Sequence, residues 1–305
     1  MQDRHGLKNI TTSIQKFAEV VVESKPCKMV FVRRKNKQAQ MMVAELSPPM
    51  SVENTQLNQK QKINTKETNI RGCSLLPDGI ESFQIGKDKT GSSTYDTVYI
   101  KDNNSVAVSS GGGGKGCITI TDIESQKVMT TIRMDTCING MAVRGGTIYY
   151  CTTDNRLKML NLSDKSVSDI ISSSISGLDY VDTSGDKLYC TNYGTRTVTC
   201  CDLHGTTQWE FKGERVLQGP LGISVDKDGN VYIAGYISNN VVVISPDVQR
   251  HRQLLSSKDG LSYPIVLDYD KSTNRLLVVN YMGTAFMFDV TKGEYEKSRT
   301  LYINK

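Results

Sequence analysis

GPLGISVDKDGNVYIAGYISNNVVVISPD, from Gly219 to Asp247, reads as three short strands in series. Ile223 and Val225 alternate with polar residues before the turn Asp226-Lys227-Asp228-Gly229-Asn230. Val231 to Ala234 form a second run, Ser238-Asn239-Asn240 turn again, and Val241 to Ile244 form a third. Short β-branched and aromatic runs bounded by Gly, Asn and Asp describe an antiparallel meander. One meander cannot bury both of its faces, so it needs copies of itself to stack on.

The chain supplies them. Met141 to Val143, Ile148 to Tyr150 and Leu157 to Leu162 repeat the pattern, as do Leu178 to Val181, Leu188 to Cys190 and Val198 to Cys200. Thr97 to Ile100, Val106 to Val108 and Ile118 to Ile120 form an earlier copy; Pro264 to Asp268, Leu276 to Val279 and Ala285 to Phe288 form a later one. The second-strand anchors Val106, Tyr149, Tyr189, Tyr232 and Leu277 are separated, by subtraction, by 43, 40, 43 and 45 residues. A period of roughly 40–50 residues with about four strands per unit is that of a β-propeller blade.

The same residues carry a family resemblance. Pro220 to Asp226, Gly229 to Ile233 and Asn239-Asn240-Val241 resemble an NHL repeat. Ile70 to Gly79 and Lys37 to Gln40 are similar to the carboxy-terminal halves of tripartite-motif–NHL proteins. The resemblance implies a six-bladed propeller behind a coiled coil. In complete members of that family it also implies an E3 ubiquitin ligase whose propeller recruits protein or RNA targets.

Before the propeller, Leu7, Ile10, Ile14, Phe17 and Val21 are spaced 3, 4, 3 and 4, a heptad seam. Residues 1–25 are therefore expected to end a coiled-coil helix, which Pro26 terminates, with self-association through it as a corollary. Residues 26–66 read as a β-hairpin around Arg33-Arg34-Lys35-Asn36-Lys37, then a polar linker from Leu46 to Lys66. Residues 67–305 are assigned to the propeller. Its first blade is expected to be reduced or truncated, because Asp96 follows Ile80 by only 16 positions. A shortened blade leaves strand edges open, and Tyr295 to Ile303 is the expected source of a closing outer strand.

The formal charge of +5 divides unevenly. Residues 1–72 hold 13 Lys+Arg and 6 Asp+Glu, so +7; residues 73–305 hold 24 and 26, so −2. A near-neutral propeller weakens an RNA-binding reading, since nucleic-acid surfaces are usually basic on the binding domain. Eight cysteines without a C-x-x-C pair fit reduced core thiols in a cytoplasmic protein. No apolar run approaches a membrane span.

Chemical motifs are thin. Gly111-x-Gly113-x-x-Gly116 continues into the strand Cys117 to Ile120 instead of opening a helix, so no dinucleotide site and no other cofactor is expected. A metal-dependent propeller hydrolase, the third reading, needs acids and histidines converging on the axis, and no such set repeats once per blade. What does repeat is Tyr193, Tyr236 and Tyr281, each directly after a second strand, with Arg156 and Arg196 in matching turns. Tyr and Arg are frequent interface anchors, so these five residues are the candidate partner-binding set. The reading is a non-catalytic protein-recognition propeller, the substrate-recruiting part of a tripartite-motif-like E3 ubiquitin ligase or of a RING-less relative.

Overall fold

Every innermost strand of this chain lies beside two others, and together they surround one axis. The computed structural model describes residues 50–65, 70–76, 81–84, 93–171, 178–213 and 215–293. The coiled coil and basic hairpin expected within residues 1–49 lie outside the described residues, as does Tyr295 to Ile303.

The first strands are β1 (Thr55–Asn64), β2 (Gly72–Leu75) and β3 (Glu81–Gln84). Blade I follows, with β4 (Ser93–Ile100), β5 (Ser105–Gly112), β6 (Lys115–Asp122) and β7 (Val128–Met134). Blade II holds β8 (Ile138–Arg144), β9 (Thr147–Thr152), β10 (Leu157–Asn161) and β11 (Val167–Ile171). Blade III holds β12 (Leu178–Ser184), β13 (Lys187–Asn192), β14 (Thr197–Asp202) and β15 (Thr207–Lys212). Blade IV holds β16 (Pro220–Val225), β17 (Val231–Gly235), β18 (Asn240–Ile244) and β19 (His251–Leu255). Blade V holds β20 (Pro264–Asp270), β21 (Arg275–Asn280) and β22 (Thr284–Lys292), and takes β1 as its outermost strand. All pairings are antiparallel, and no α-helix occurs among the described residues.

Five blades are therefore complete, one fewer than the six expected. Between blade V and blade I stands a two-stranded sheet, β2 with β3, here called the half-blade. The innermost strands follow one another around the axis in the order β4, β8, β12, β16, β20, β2. Gln56 to Asn64, read from sequence as polar linker, pair with Thr291 to Thr284, with a bulge between Gln59 and Gln61. β1 closes the last blade from the N-terminal side, in the position expected for Tyr295 to Ile303. Most of its side chains remain exposed, which is why its sequence lacks the apolar alternation of the other strands.

Four of the five second-strand anchors fill the seams between blades, Val106 being only half-buried. Tyr149 packs with Val181 and Cys190 between blades II and III, and Tyr189 with Ile223 and Val231 between blades III and IV. Tyr232 stacks on Tyr269 at 5.2 Å between blades IV and V. Leu277 meets Ile70, Cys73 and Leu75 of the half-blade. Each buried aromatic or aliphatic side chain of this kind contributes about 1.5–3 kcal/mol.

Near the axis the strands approach too closely for side chains. A Cβ on Gly222 would lie 2.5 Å from the Cα of Val266, one on Gly140 would lie 2.5 Å from that of Tyr180, and one on Gly72 would lie 2.7 Å from that of Asp96. The innermost strand of every complete blade also shifts register against its neighbour, at Thr94/Asp96, Ile138/Met141, Leu178/Val181, Pro220/Ile223 and Pro264/Val266. Such bulges bend a strand and re-aim its side chains.

Candidate functional site

Two features could serve a function: a tyrosine surface at one end of the ring and a small chamber on the axis.

The surface grows from the turns after second strands. Tyr193 follows β13, Tyr236 follows β17 and Tyr281 follows β21. Tyr236 is the hub, with ring centroids 6.3 Å from Tyr193 and 6.3 Å from Tyr281, both edge-on. A fourth ring that the sequence reading missed, Tyr263, lies 5.1 Å from Tyr236. Gly219 makes this convergence feasible. Its φ is +60, and a Cβ there would lie 2.8 Å from Tyr193 Cε2 and 2.9 Å from Ile237 Cγ1.

Tyr263 is held unusually. Its φ of 50 is left-handed, which costs a bulky residue of order 1–3 kcal/mol. Its backbone N–H donates to Asn239 Oδ1 at 2.6 Å and its carbonyl accepts from Tyr281 N–H at 2.9 Å. The turn thus fixes a ring that remains 48% exposed, beside Tyr193 at 39% and Met282 at 59%. Tyr236 and Tyr281 root the patch in the seam between blade V and the half-blade. Partial burial, then the neighbouring phenols, push the Tyr236 hydroxyl above its ordinary range, so it stays neutral and able to donate.

The two arginines stand differently. Arg156, in blade II, pairs with Asp154 at 3.3 Å and Asp169 at 3.5 Å. Arg196 shares the Tyr193 turn, is exposed and has φ 59. At the opposite end, an open cleft of ≈ 600 Å³ between blades III and IV is lined by residues of both charges, including Asp186, Lys187, Lys227 and Asp228.

The axial chamber encloses ≈ 60 Å³, and Asp96, Asp182 and Asp268 face it. Each carboxyl ties its own blade to the next. Asp96 Oδ2 accepts from Met141 N–H at 2.7 Å, Asp182 Oδ2 from Val225 N–H at 2.7 Å, and Asp268 Oδ2 from Leu75 N–H at 2.7 Å. Burial raises the pKa of all three. The sequence reading sought acids and histidines recurring once per blade, and these three acids recur at every second blade. The three positions are 86 residues apart, two blades instead of one, so a search at single-blade spacing passes over them. Among the described residues no three of His, Cys, Asp or Glu could hold a metal ion together. The axial carboxylates direct oxygens at backbone N–H groups.

The glycine-rich loop Gly111 to Gly116 is the β5–β6 hairpin, whose strands pair up to Gly112 and Lys115. The Asp226 turn is closed internally. Asp226 Oδ1 accepts from Asp228 N–H at 2.9 Å and Asn230 N–H at 2.8 Å.

Architecture and seams define a β-propeller. No family model matches the chain, and no curated protein matches it. Solved structures do. A protein of unknown function from Bacteroides thetaiotaomicron is similar over 78% of this chain and 76% of its own, at 12% identity and TM-score 0.60. A streptogramin B lyase is similar over 79% and 100%, at 12% identity and TM-score 0.55. A chain of a nidogen/laminin complex is similar over 75% and 89%, at 15% identity and TM-score 0.53. At these identities the likeness is one of fold. No helix among the described residues is long and apolar enough to cross a membrane.

Proposed function

We propose that this propeller is a non-catalytic recognition module whose tyrosine end binds a protein partner. The single observation that carries this reading is Tyr263, half-exposed in a left-handed conformation that the fold must offset, against a hub of three further tyrosines. Packing inside the blade gives no reason to hold an aromatic ring outward at that cost, whereas rigid tyrosines are efficient anchors at protein interfaces. A propeller is also the fold of a chain in a nidogen/laminin complex, a protein–protein assembly.

The test uses peptides selected from a random display library on the wild-type propeller. Their affinity is then measured for the Tyr193→Ala/Tyr263→Ala variant. Loss of interface anchors worth about 2 kcal/mol each predicts a Kd weaker by about thirtyfold per anchor. The melting temperature should change little, because both rings are largely outside the core. Unchanged affinity, or binding mapped to the opposite end, removes the reading.

The finer role rests on the resemblance to tripartite-motif–NHL proteins alone. In that role the module recruits substrates for an E3 ubiquitin ligase, with the transfer chemistry supplied elsewhere. Ubiquitin attached to a selected peptide in a reconstituted reaction, dependent on Tyr263, supports it. Peptide binding without such transfer leaves the recognition module standing and removes the ligase role.

A further inference from the structure

The tyrosine end carries charge as well as rings, and the two are laid out in a definite order. First strands begin at this end of the ring: Gly219, against the Tyr193 ring, precedes β16, and Tyr263 precedes β20. Arg71 precedes β2 in the same way, so it opens at the same end. The innermost strands run β12, β16, β20, β2 around the axis. Arg196, in the β13–β14 turn of blade III, therefore stands at one limit of the tyrosine arc. Arg71, on the half-blade that follows blade V, stands at the other.

Both arginines are exposed. The arginine ion pairs among the described residues belong to Arg144, Arg156, Arg250 and Arg275. The Arg71 guanidinium lies 5.3 Å from the centre of the Tyr95 ring, and its charge reaches the Tyr236 hydroxyl, where it opposes the upward shift. Two carboxylates of this end are already engaged. Asp179 accepts from Tyr193 N–H at 2.8 Å, and Asp259 accepts from Ser256 N–H at 2.8 Å and Ser256 Oγ at 3.0 Å.

Between the arginines the arc is apolar. Ile237, 42% exposed, and Met282 follow the tyrosines in the β17–β18 and β21–β22 turns. With Tyr193 and Tyr263 they make four of the seven large apolar side chains exposed among the described residues. The turns 236–239 and 281–283 hold no Lys or Arg. From Tyr193 through Tyr236 to Tyr281 each step is 6.3 Å, a path that about four residues of extended chain cover at about 3.3 Å each.

We propose that the partner bound here is an acidic protein segment, extended across the rings with an apolar middle and with Asp or Glu at each end, set against Arg196 and Arg71. The inference rests on the tyrosine end being a protein-recognition surface, and it names what that surface selects. Charge complementarity places the two ends of the segment, and the exposed rings with Ile237 and Met282 take its middle. A nucleic acid fits less well. Its backbone carries a charge at every nucleotide, and the middle of the arc offers no cation to meet them. The rings around the hub are inclined to it by 64°, 44° and 81°, so none stands parallel to it to sandwich a base.

The test begins with peptides selected from a random display library on the wild-type propeller, discarding those that the Tyr193→Ala/Tyr263→Ala variant also retains. Asp and Glu should be enriched on both sides of an apolar run in the remainder. Changing the acids of the tightest peptide to Asn and Gln should weaken its Kd about tenfold at about 50 mM salt. That difference should shrink several-fold at about 500 mM salt, because exposed charge pairs are screened. In Arg71→Glu/Arg196→Asp the acid form should lose its advantage, and a form with lysines in place of the acids should bind more tightly than it binds the wild type. Aspartate suits position 196 because it tolerates the φ of 59 there. Tyrosine-dependent peptides without acidic enrichment, or acid and amide forms of equal affinity, overturn the acidic partner and leave the recognition surface standing. A selection that yields no tyrosine-dependent peptide removes both. Single-stranded oligouridylate that binds through the same arginines more tightly than any selected peptide overturns the proposal in favour of nucleic acid. Should the arginine variant not fold, the acid-to-amide comparison across the salt series, made on the wild type, decides alone.

Discussion

Replacing Gly222 with alanine tests the packing on which the ring depends. The added Cβ would meet Val266 Cα at 2.5 Å, Leu267 N at 2.8 Å and Ile265 O at 2.9 Å, all backbone atoms of the next innermost strand. No side chain can rotate aside, so β16 and β20 must part by about 1 Å to restore ordinary carbon contacts of 3.5–4.0 Å. That shift strains the bond from Tyr269 N–H to Ser224 Oγ, 3.1 Å long, and loosens the Tyr232–Tyr269 stack. Overpacking of this kind costs about 1–3 kcal/mol and a lost buried hydrogen bond about 1 more. Together they predict a loss of about 2–4 kcal/mol, or a fall in Tm of roughly 5–10 °C for a domain of this size. Gly112→Ala is the matched control, because nothing lies within 4 Å of its Cβ and its φ is not positive. Circular dichroism melts of both variants read the difference. Equal melting of the two would refute the claim that the innermost strands touch backbone to backbone.

Asn230→Ala should lower stability by about 2–3 kcal/mol, seen as a lower denaturant midpoint with unchanged slope. Its amide donates to the Met50 carbonyl at 2.9 Å and to Asp226 Oδ2 at 2.8 Å, and both acceptors are left without that donor. Asn230→Asp should be worse, because it sets a second carboxylate against Asp226. Deleting residues 1–64 removes β1 and bares the β22 edge, so size-exclusion chromatography should show association or aggregation. A peptide of residues 50–65 added in trans should restore a monomer, and a deletion product already monomeric with wild-type melting would contradict the role of β1.

The five meanders were legible because their central strands are short apolar or alternating runs between turn residues, Val241 to Ile244 being buried on both faces. The tyrosine arc was legible for the same reason of repetition. Tyr263 was not, since it sits in a loop between blades and shares no repeat position with the others. β1 was misread as linker because an exposed outer strand needs no apolar stripe; only its partner β22 identifies it. The axial aspartates were hidden by their spacing. Adjacent blades alternate a close-approach glycine with a clamping carboxyl, as Gly222 on β16 follows Asp182 on β12, so the motif recurs only every second blade.

Because β1 pairs with β22, ribosomal synthesis imposes a delay on this molecule. Asn64 meets Thr284, a residue made 220 positions later. At a translation rate of about 5–20 residues per second, the opening strand waits roughly 10–45 s for its mate. A segment that idles so long in a crowded cell must not stick to anything else. Its glutamine- and lysine-rich composition, TQLNQKQKIN, meets that demand. Completion of blade V is deferred until β22 has been made, and nascent chains stalled before Thr284 should leave β1 unpaired.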